Sequence, residues 1–262
     1  MARRPNRPPA RDERQELVDL AIDLDLTALA QEFPTILTWA EQEKISFTAF
    51  FLALLRAEWR ARHDRRLQRI LKRARLGTVQ GLEGYDFSIR PKLDARIVKE
   101  FCNCQFLGER RNILALGKPG TGKTRVIKAI ARAACSLGYT VLYVIFAEML
   151  EALAASRADN TFSRAFQRLV KPQLLVIDEF AYEPVGLEAT KDLFRLVSAR
   201  HRQGSIVLAA NTGFANWGKL FPAEAAAVAT VDRLVDDATI LRFTGKGGRP
   251  PREIVGAPLE DE

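Results

Sequence analysis

Residues Gly117-Lys118-Pro119-Gly120-Thr121-Gly122-Lys123-Thr124 have the types and spacing of a phosphate cradle, Gly-x-x-x-x-Gly-Lys-Thr. A polyphosphate needs many donors at close range, so backbone N–H groups must wrap it and glycines must let the backbone approach. A helix opening at the end of the loop adds its positive N-terminus. Lys123 is placed to reach the terminal phosphates and Thr124 to give a hydroxyl to Mg²⁺. The plain alternative, a glycine-rich turn with an incidental Gly-Lys-Thr, does not explain why a strand precedes the loop and a helix follows it. The expected ligands are ATP and Mg²⁺, held by residues Gly117 to Thr124.

A second group carries chemistry of its own. Leu174-Leu175-Val176-Ile177-Asp178-Glu179 is an apolar run closed by two acids. At the C-terminal edge of a parallel sheet, where ligands bind, such a pair suits a nucleotide site. Asp178 is assigned to the Mg²⁺ shell and Glu179 to polarising an attacking water. Asn211 closes the next apolar run, where its side chain either holds that water or the γ-phosphate, or simply forms a turn. Arg233 lies on a late helix beginning near Ala223. On the residues alone it reads as a surface ion pair with Asp232, Asp236 or Asp237, or else as a cation offered to a neighbouring subunit's site.

These residues need a scaffold that brings them to one edge. Apolar runs at Asn112–Leu116, Thr140–Phe146, Leu174–Ile177 and Ser205–Ala210 alternate with helical stretches at Lys123–Leu137, Ala147–Val170 and Glu188–Arg202. The second stretch has a candidate break at Asp159-Asn160. The pattern predicts an α/β core, a parallel sheet flanked by helices. A further helix is expected over Asp94–Phe106. Before the core, residues 12–76 read as all-helical, with Ser46 capping a helix from Phe47 to Arg75. An apolar stripe there is expected from Leu52, Leu55, Trp59, Leu67, Ile70, Leu71 and Ala74. The expected division is a helical domain at 1–76, a connector at 77–92, the core at 93–245 and a flexible tail at 246–262. The Arg/Pro-rich residues 1–11 read as a flexible arm.

Of 262 residues, none falls in a run long enough to span a membrane, and the basic N-terminus lacks the apolar segment of a secretory signal. A cytoplasmic protein without a membrane partner is expected. Cys102, Cys104 and Cys135 lack zinc spacing. The net charge is +8, and it is local: residues 56–75 hold nine Lys/Arg against Glu58 and Asp64. Arg62, Arg65, Arg66, Arg69, Lys72 and Arg73, together with the N-terminal arm, form the candidate contact with duplex DNA, reading phosphates rather than bases. The alternative is a solvated helix face. Trp59 is placed in the core, so no base-stacking platform is expected.

The P-loop, Ile177–Pro184, Asn211, Phe214-x-x-Trp217-Gly218 and Asp232-Arg233-Leu234 together resemble the IstB-like helper ATPases of insertion-sequence transposons. Leu54–Trp59, Arg65-Arg66-Leu67 and Asp86-Phe87-Ser88 extend that resemblance to the helical region. It implies an AAA+ core with a small helical N-terminal domain, Mg-dependent ATP hydrolysis, homo-oligomer assembly on DNA and help to a partner transposase. It makes Asn211 the sensor-1 residue and Arg233 an arginine finger acting across a subunit boundary. Lys118 stands where relatives often carry proline. The segment Gly245–Pro250 departs from the family pattern, so the sensor-2 residue stays open among Arg249, Lys246 and Arg252. A replicative helicase loader uses the same core and is the alternative function. A scaffold with negligible turnover is disfavoured by Lys123, Thr124, Asp178 and Glu179 occurring together.

Overall fold

The computed structural model describes residues 12–79, 81–88, 93–180, 184–222 and 224–244. They form two compact units, one ending at Arg69 and one starting at Ile70. The division falls before Leu76 because Leu71, Ala74 and Leu76 are buried, and the Ala74 carbonyl accepts from the Tyr143 N–H at 2.8 Å. The arm at 1–11, the tail at 246–262 with Lys246, Arg249 and Arg252, and Ala181–Glu183 lie outside the described residues.

The first unit contains α1 (Glu13–Asp23), α2 (Thr27–Glu43) and the start of α3 (Phe47–Arg73). Ser46 caps α3, its hydroxyl accepting from the Ala49 N–H at 3.2 Å. The core of this unit is Ala21, Leu29, Ala30, Phe33 and Leu54. The expected stripe is corrected here. Leu54 and Glu58, one helical turn apart, face inward, whereas Leu52, Leu55 and Trp59 are 42%, 44% and 66% exposed. A shift of one position on a helix turns the face by about 100°, so the stripe was set on the solvent side at Leu52, Leu55 and Trp59, while its later members Leu71 and Ala74 are buried as expected. Trp59 stacks on His63 with ring centroids 5.2 Å apart and is not a core residue.

The second unit holds a five-stranded sheet. Its strands are β1 (Asn112–Gly117), β2 (Val141–Ile145), β3 (Leu174–Phe180), β4 (Ser205–Ala210) and β5 (Ala238–Phe243). They run in the order β2-β3-β4-β1-β5, with every pair parallel. Parallel strands covered on both faces are apolar throughout. Leu174, Leu175, Val176 and Ile177 are accordingly 0% exposed. Each such side chain contributes about 2 kcal/mol by leaving water. The helices α4 (Ala95–Phe101), α5 (Gln105–Gly108), α6 (Lys123–Ser136), α7 (Phe146–Ala158), α8 (Phe162–Val170), α9 (Leu187–Arg200) and α10 (Glu224–Val235) complete it.

The sequence misses β5 altogether, because Ala238–Phe243 ends in the alternation Leu241-Arg242-Phe243 with the arginine exposed. The helix expected over Asp94–Phe106 is interrupted at Cys104, which adopts φ 57°. The break at Asp159-Asn160 is real: Asn160 has φ 58°. Among the described residues, no helix is long and apolar enough to cross a membrane.

Candidate active site

The P-loop leaves the C-terminal end of β1 and enters α6. Gly117 is required by contact: a Cβ there would meet the Phe243 carbonyl oxygen at 2.2 Å, so any side chain would push β5 off β1. Gly122 has φ 89°, and a Cβ would also approach the Tyr85 hydroxyl at 2.9 Å. Lys118, Pro119 and Gly120 are exposed, whereas Thr121 and Lys123 are buried. The Thr121 hydroxyl donates to the Lys118 carbonyl at 2.7 Å, closing the loop on itself. Lys123 Nζ donates to the carbonyls of Gly117 at 2.6 Å and Lys118 at 2.8 Å. Burial lowers its pKa and the Asp178 carboxylate works against that.

Parallel pairing brings the acids to this loop. Thr124 Oγ1 donates to Asp178 Oδ1 at 3.3 Å. The same oxygen accepts from the Glu179 N–H at 2.9 Å. Asp178 is 3% exposed while Glu179 is exposed. Successive side chains on a strand point to opposite faces; past Asp178 the strand also bulges, the register between β3 and β4 shifting between Ile177 and Phe180, and Glu179 adopts φ 55°. A left-handed non-glycine residue costs about 1–3 kcal/mol and persists only where its surroundings over-determine it. Here Phe180 supplies the restraint, packed on Phe146 and Trp217 with centroids 4.6 and 4.7 Å away.

Asn211 follows Ala210, whose strand lies between β1 and β3. It is half-buried at the same edge as the loop and the acids. Its neighbour Thr212 is anchored by the indole of Trp217, which donates to the Thr212 carbonyl at 3.2 Å. Trp217 is 0% exposed and belongs to the 3-10 turn Phe214–Lys219. One aromatic cluster therefore fixes both the bulge at Glu179 and the loop at Asn211.

Arg233 stands elsewhere. It lines a cavity of about 200 Å³ with Arg110, Asn112, His201, Gly204 and Asp237, at the N-terminal edge of the sheet. Its guanidinium lies 4.9 Å from the centre of the Phe194 ring and donates to the Ala229 carbonyl at 3.2 Å. Among the described residues no ion pair joins it to Asp232, Asp236 or Asp237. Asp236 instead receives His201 at 2.7 Å and Arg202 at 3.4 Å.

The basic helix also divides. Arg62 and Arg65 reach the buried Glu58 at 2.7 and 3.3 Å, and Glu58 Oε2 accepts from the N–H groups of Ala28 and Leu29 at the start of α2. Burial acts to raise the Glu58 pKa, but these hydrogen bonds and the Arg62 charge outweigh it and hold the carboxyl below its ordinary value. Arg66, Arg69, Lys72 and Arg73 are exposed, and none of them makes an ion pair among the described residues.

One site residue has no counterpart among the sequence candidates. Tyr143, on β2, donates its hydroxyl to Asp178 Oδ2 at 2.8 Å. Burial raises its pKa strongly, and Asp178 raises it further through charge and hydrogen bond. The available signal was a tyrosine inside an apolar strand, since a buried phenol needs a partner.

The donor set fits Mg²⁺. A hydroxyl and a carboxylate oxygen side by side are hard ligands, and Mg²⁺ takes one or two carboxylates with substrate phosphates and waters. Among the described residues no cluster of three or more His, Cys, Asp or Glu offers a complete metal cage.

An ATP-binding protein of insertion sequence IS21 from Pseudomonas aeruginosa is 32% identical over 234 residues, covering 89% of this chain and 88% of its own. Among solved structures, DnaI matches 64% of this chain and 92% of its own, with TM-score 0.55 and 19% identity. AMPPCP-bound DnaA from Aquifex aeolicus matches with TM-score 0.54 and 18% identity over 64% of this chain; the match spans 51% of that protein, about half its length. At those identities the likeness is one of fold, the AAA+ core. A family model described as IstB-like ATP binding protein matches residues 19–252, and the chain belongs to that family.

Proposed function

We propose that this protein binds ATP with Mg²⁺ at the C-terminal edge of its sheet and hydrolyses it. We infer that it does so as an oligomer on DNA, in support of a partner transposase. The observation that carries the ATPase reading is the contact of Thr124 with Asp178 at 3.3 Å, which joins the P-loop to the strand bearing Glu179. Backbone N–H groups of Gly117–Thr124 receive the phosphates, and Lys123 exchanges its loop carbonyls for phosphate oxygens. Thr124 and Asp178 are the residues that would hold Mg²⁺, whose charge when bound offsets that of the phosphates. Glu179 accepts a proton from water as the water oxygen bonds to the γ-phosphorus and the bond to the β–γ bridging oxygen breaks, leaving ADP. Asn211 orients that water or the γ-phosphate. Arg233 faces away from its own loop, which supports its acting on a neighbouring subunit.

The transposition reading rests on the family and on a relative from an insertion sequence matched over nearly its whole length. The helicase-loader reading has only a likeness of fold behind it. For DNA, exposed Arg66, Arg69, Lys72 and Arg73 are the proposed phosphate contacts. Arg62 and Arg65 are shared with Glu58.

The test is release of phosphate from ATP, with and without duplex DNA, for wild type and Glu179→Gln. Turnover in the wild type and a fall of about 10²–10⁴ in the variant, with nucleotide binding retained, is expected. No turnover in wild type with DNA present overturns the ATPase reading.

A further inference from the structure

Register places Tyr143 opposite Val176 and Ile145 opposite Asp178. Alternation along each strand then puts the Tyr143 and Asp178 side chains on one face of the sheet. The consequence is a fully held carboxylate. Among the described residues its Oδ2 accepts from Tyr143, at 2.8 Å, while its Oδ1 accepts from the Glu179 N–H and the Thr124 hydroxyl. A carboxylate rotates freely about its terminal bond unless each oxygen is engaged separately, and here each is.

The phenol ring is itself held. Lys128 Nζ lies 4.4 Å from the centre of the Tyr143 ring. Lys128 is one helical turn beyond Thr124 on α6, so the two share a helix face. The helix that brings Thr124 to the loop therefore also braces the residue that orients Asp178. A phenylalanine would fill the same space in β2, so packing alone does not call for the hydroxyl.

We propose that Tyr143 is a positioning residue for the divalent cation: its hydroxyl locks Asp178 so that Oδ1 is presented beside Thr124 Oγ1. The proposal rests on the ATP-site reading above. Partners that orient a metal-ligating carboxylate contribute to metal affinity without touching the metal.

The experiment titrates Mg²⁺ into the full-length chain with N-methylanthraniloyl-ATP and follows the fluorescence of the bound nucleotide. The same nucleotide affinity is measured in EDTA. For Tyr143→Phe the half-maximal Mg²⁺ concentration is expected to rise about ten- to hundredfold, with the affinity in EDTA unchanged. Asp178→Asn is expected to abolish the Mg²⁺ response. An unchanged Mg²⁺ half-point in Tyr143→Phe, with wild type responding, overturns the role of Tyr143 alone. An equal loss of affinity in EDTA and in Mg²⁺ assigns the hydroxyl to packing and overturns it too. A wild type that binds the nucleotide with no Mg²⁺ response, or does not bind it, overturns the site reading and this proposal together.

Discussion

Lys123 and Arg233 stand at opposite edges of one parallel sheet. Lys123 opens α6 at the C-terminal end of β1, and Arg233 lines a cavity with Asn112, the first residue of β1. Six residues at about 3.3 Å each put roughly 20 Å of strand between the two edges. An arginine side chain cannot bridge that distance within one chain. It can do so only if a second copy presents its N-terminal edge to the first copy's loop. The Phe194 ring beneath the guanidinium and the bond to the Ala229 carbonyl hold the side chain in place.

Arg233→Ala is therefore expected to retain nucleotide binding and lose hydrolysis by about 10³ or more. Mixing it with Lys123→Ala, which keeps its arginine but has no working loop, is expected to restore part of the rate. Phosphate release at fixed total protein, against mixing ratio, is the measurement. Failure to restore activity at every ratio, or a wild-type rate for Arg233→Ala alone, removes the trans role.

Glu58 organises the helical unit from its centre. No side chain of α2 caps its own N-terminus. Glu58 does so from α3, accepting from Ala28 and Leu29 while Arg62 and Arg65 balance its charge. Glu58→Ala leaves two backbone donors and two arginines without this acceptor, an expected loss of about 2 kcal/mol. Because the folded carboxyl lies below the ordinary glutamate value, its contribution is complete above the unfolded pKa. It is lost as pH falls through the folded pKa. Thermal unfolding of the full chain between neutral pH and about pH 3 should show a wild-type decline at the acid end that Glu58→Gln flattens. Parallel curves for the two proteins would refute this account.

The nucleotide edge was legible because its chemistry is contiguous. The P-loop and the Asp178-Glu179 pair each occupy adjacent positions, and strands flanking them are apolar enough to place both at one edge. Long-range partners were not legible. Nothing near Tyr143 in sequence names Asp178 as the acceptor of its hydroxyl, since cross-strand pairing decides that. Trp217 stood out only by resemblance, and its grip on Thr212 is a tertiary fact. The first half of the α3 stripe, Leu52, Leu55 and Trp59, failed for a different reason. The buried positions there went to Leu54 and to a charged residue, Glu58, that spacing rules assign to solvent. The left-handed backbone at Glu179 likewise has no mark in a sequence where glycine would be the usual choice.

The arginines of α3 differ in what they can give to DNA. Arg62 and Arg65 are already committed to Glu58, the Asp25 carbonyl and Thr27. Drawing them onto phosphates would cost the first unit its buried carboxylate's partners. Among the described residues Arg66 forms no ion pair, and Arg69 donates to the Arg65 carbonyl, at 3.4 Å. Both are exposed, and each phosphate they neutralise would release about one counterion. Arg66→Ala with Arg69→Ala should weaken duplex binding and reduce the slope of log affinity against log salt by about 2, with stability changed by less than about 0.5 kcal/mol. Arg62→Ala with Arg65→Ala should instead lower the unfolding temperature, so that any loss of binding tracks loss of fold. Fluorescence anisotropy of a labelled duplex across salt concentrations, read beside thermal unfolding, distinguishes the two pairs. If the first pair leaves affinity and slope unchanged, the DNA contact does not run through this part of α3.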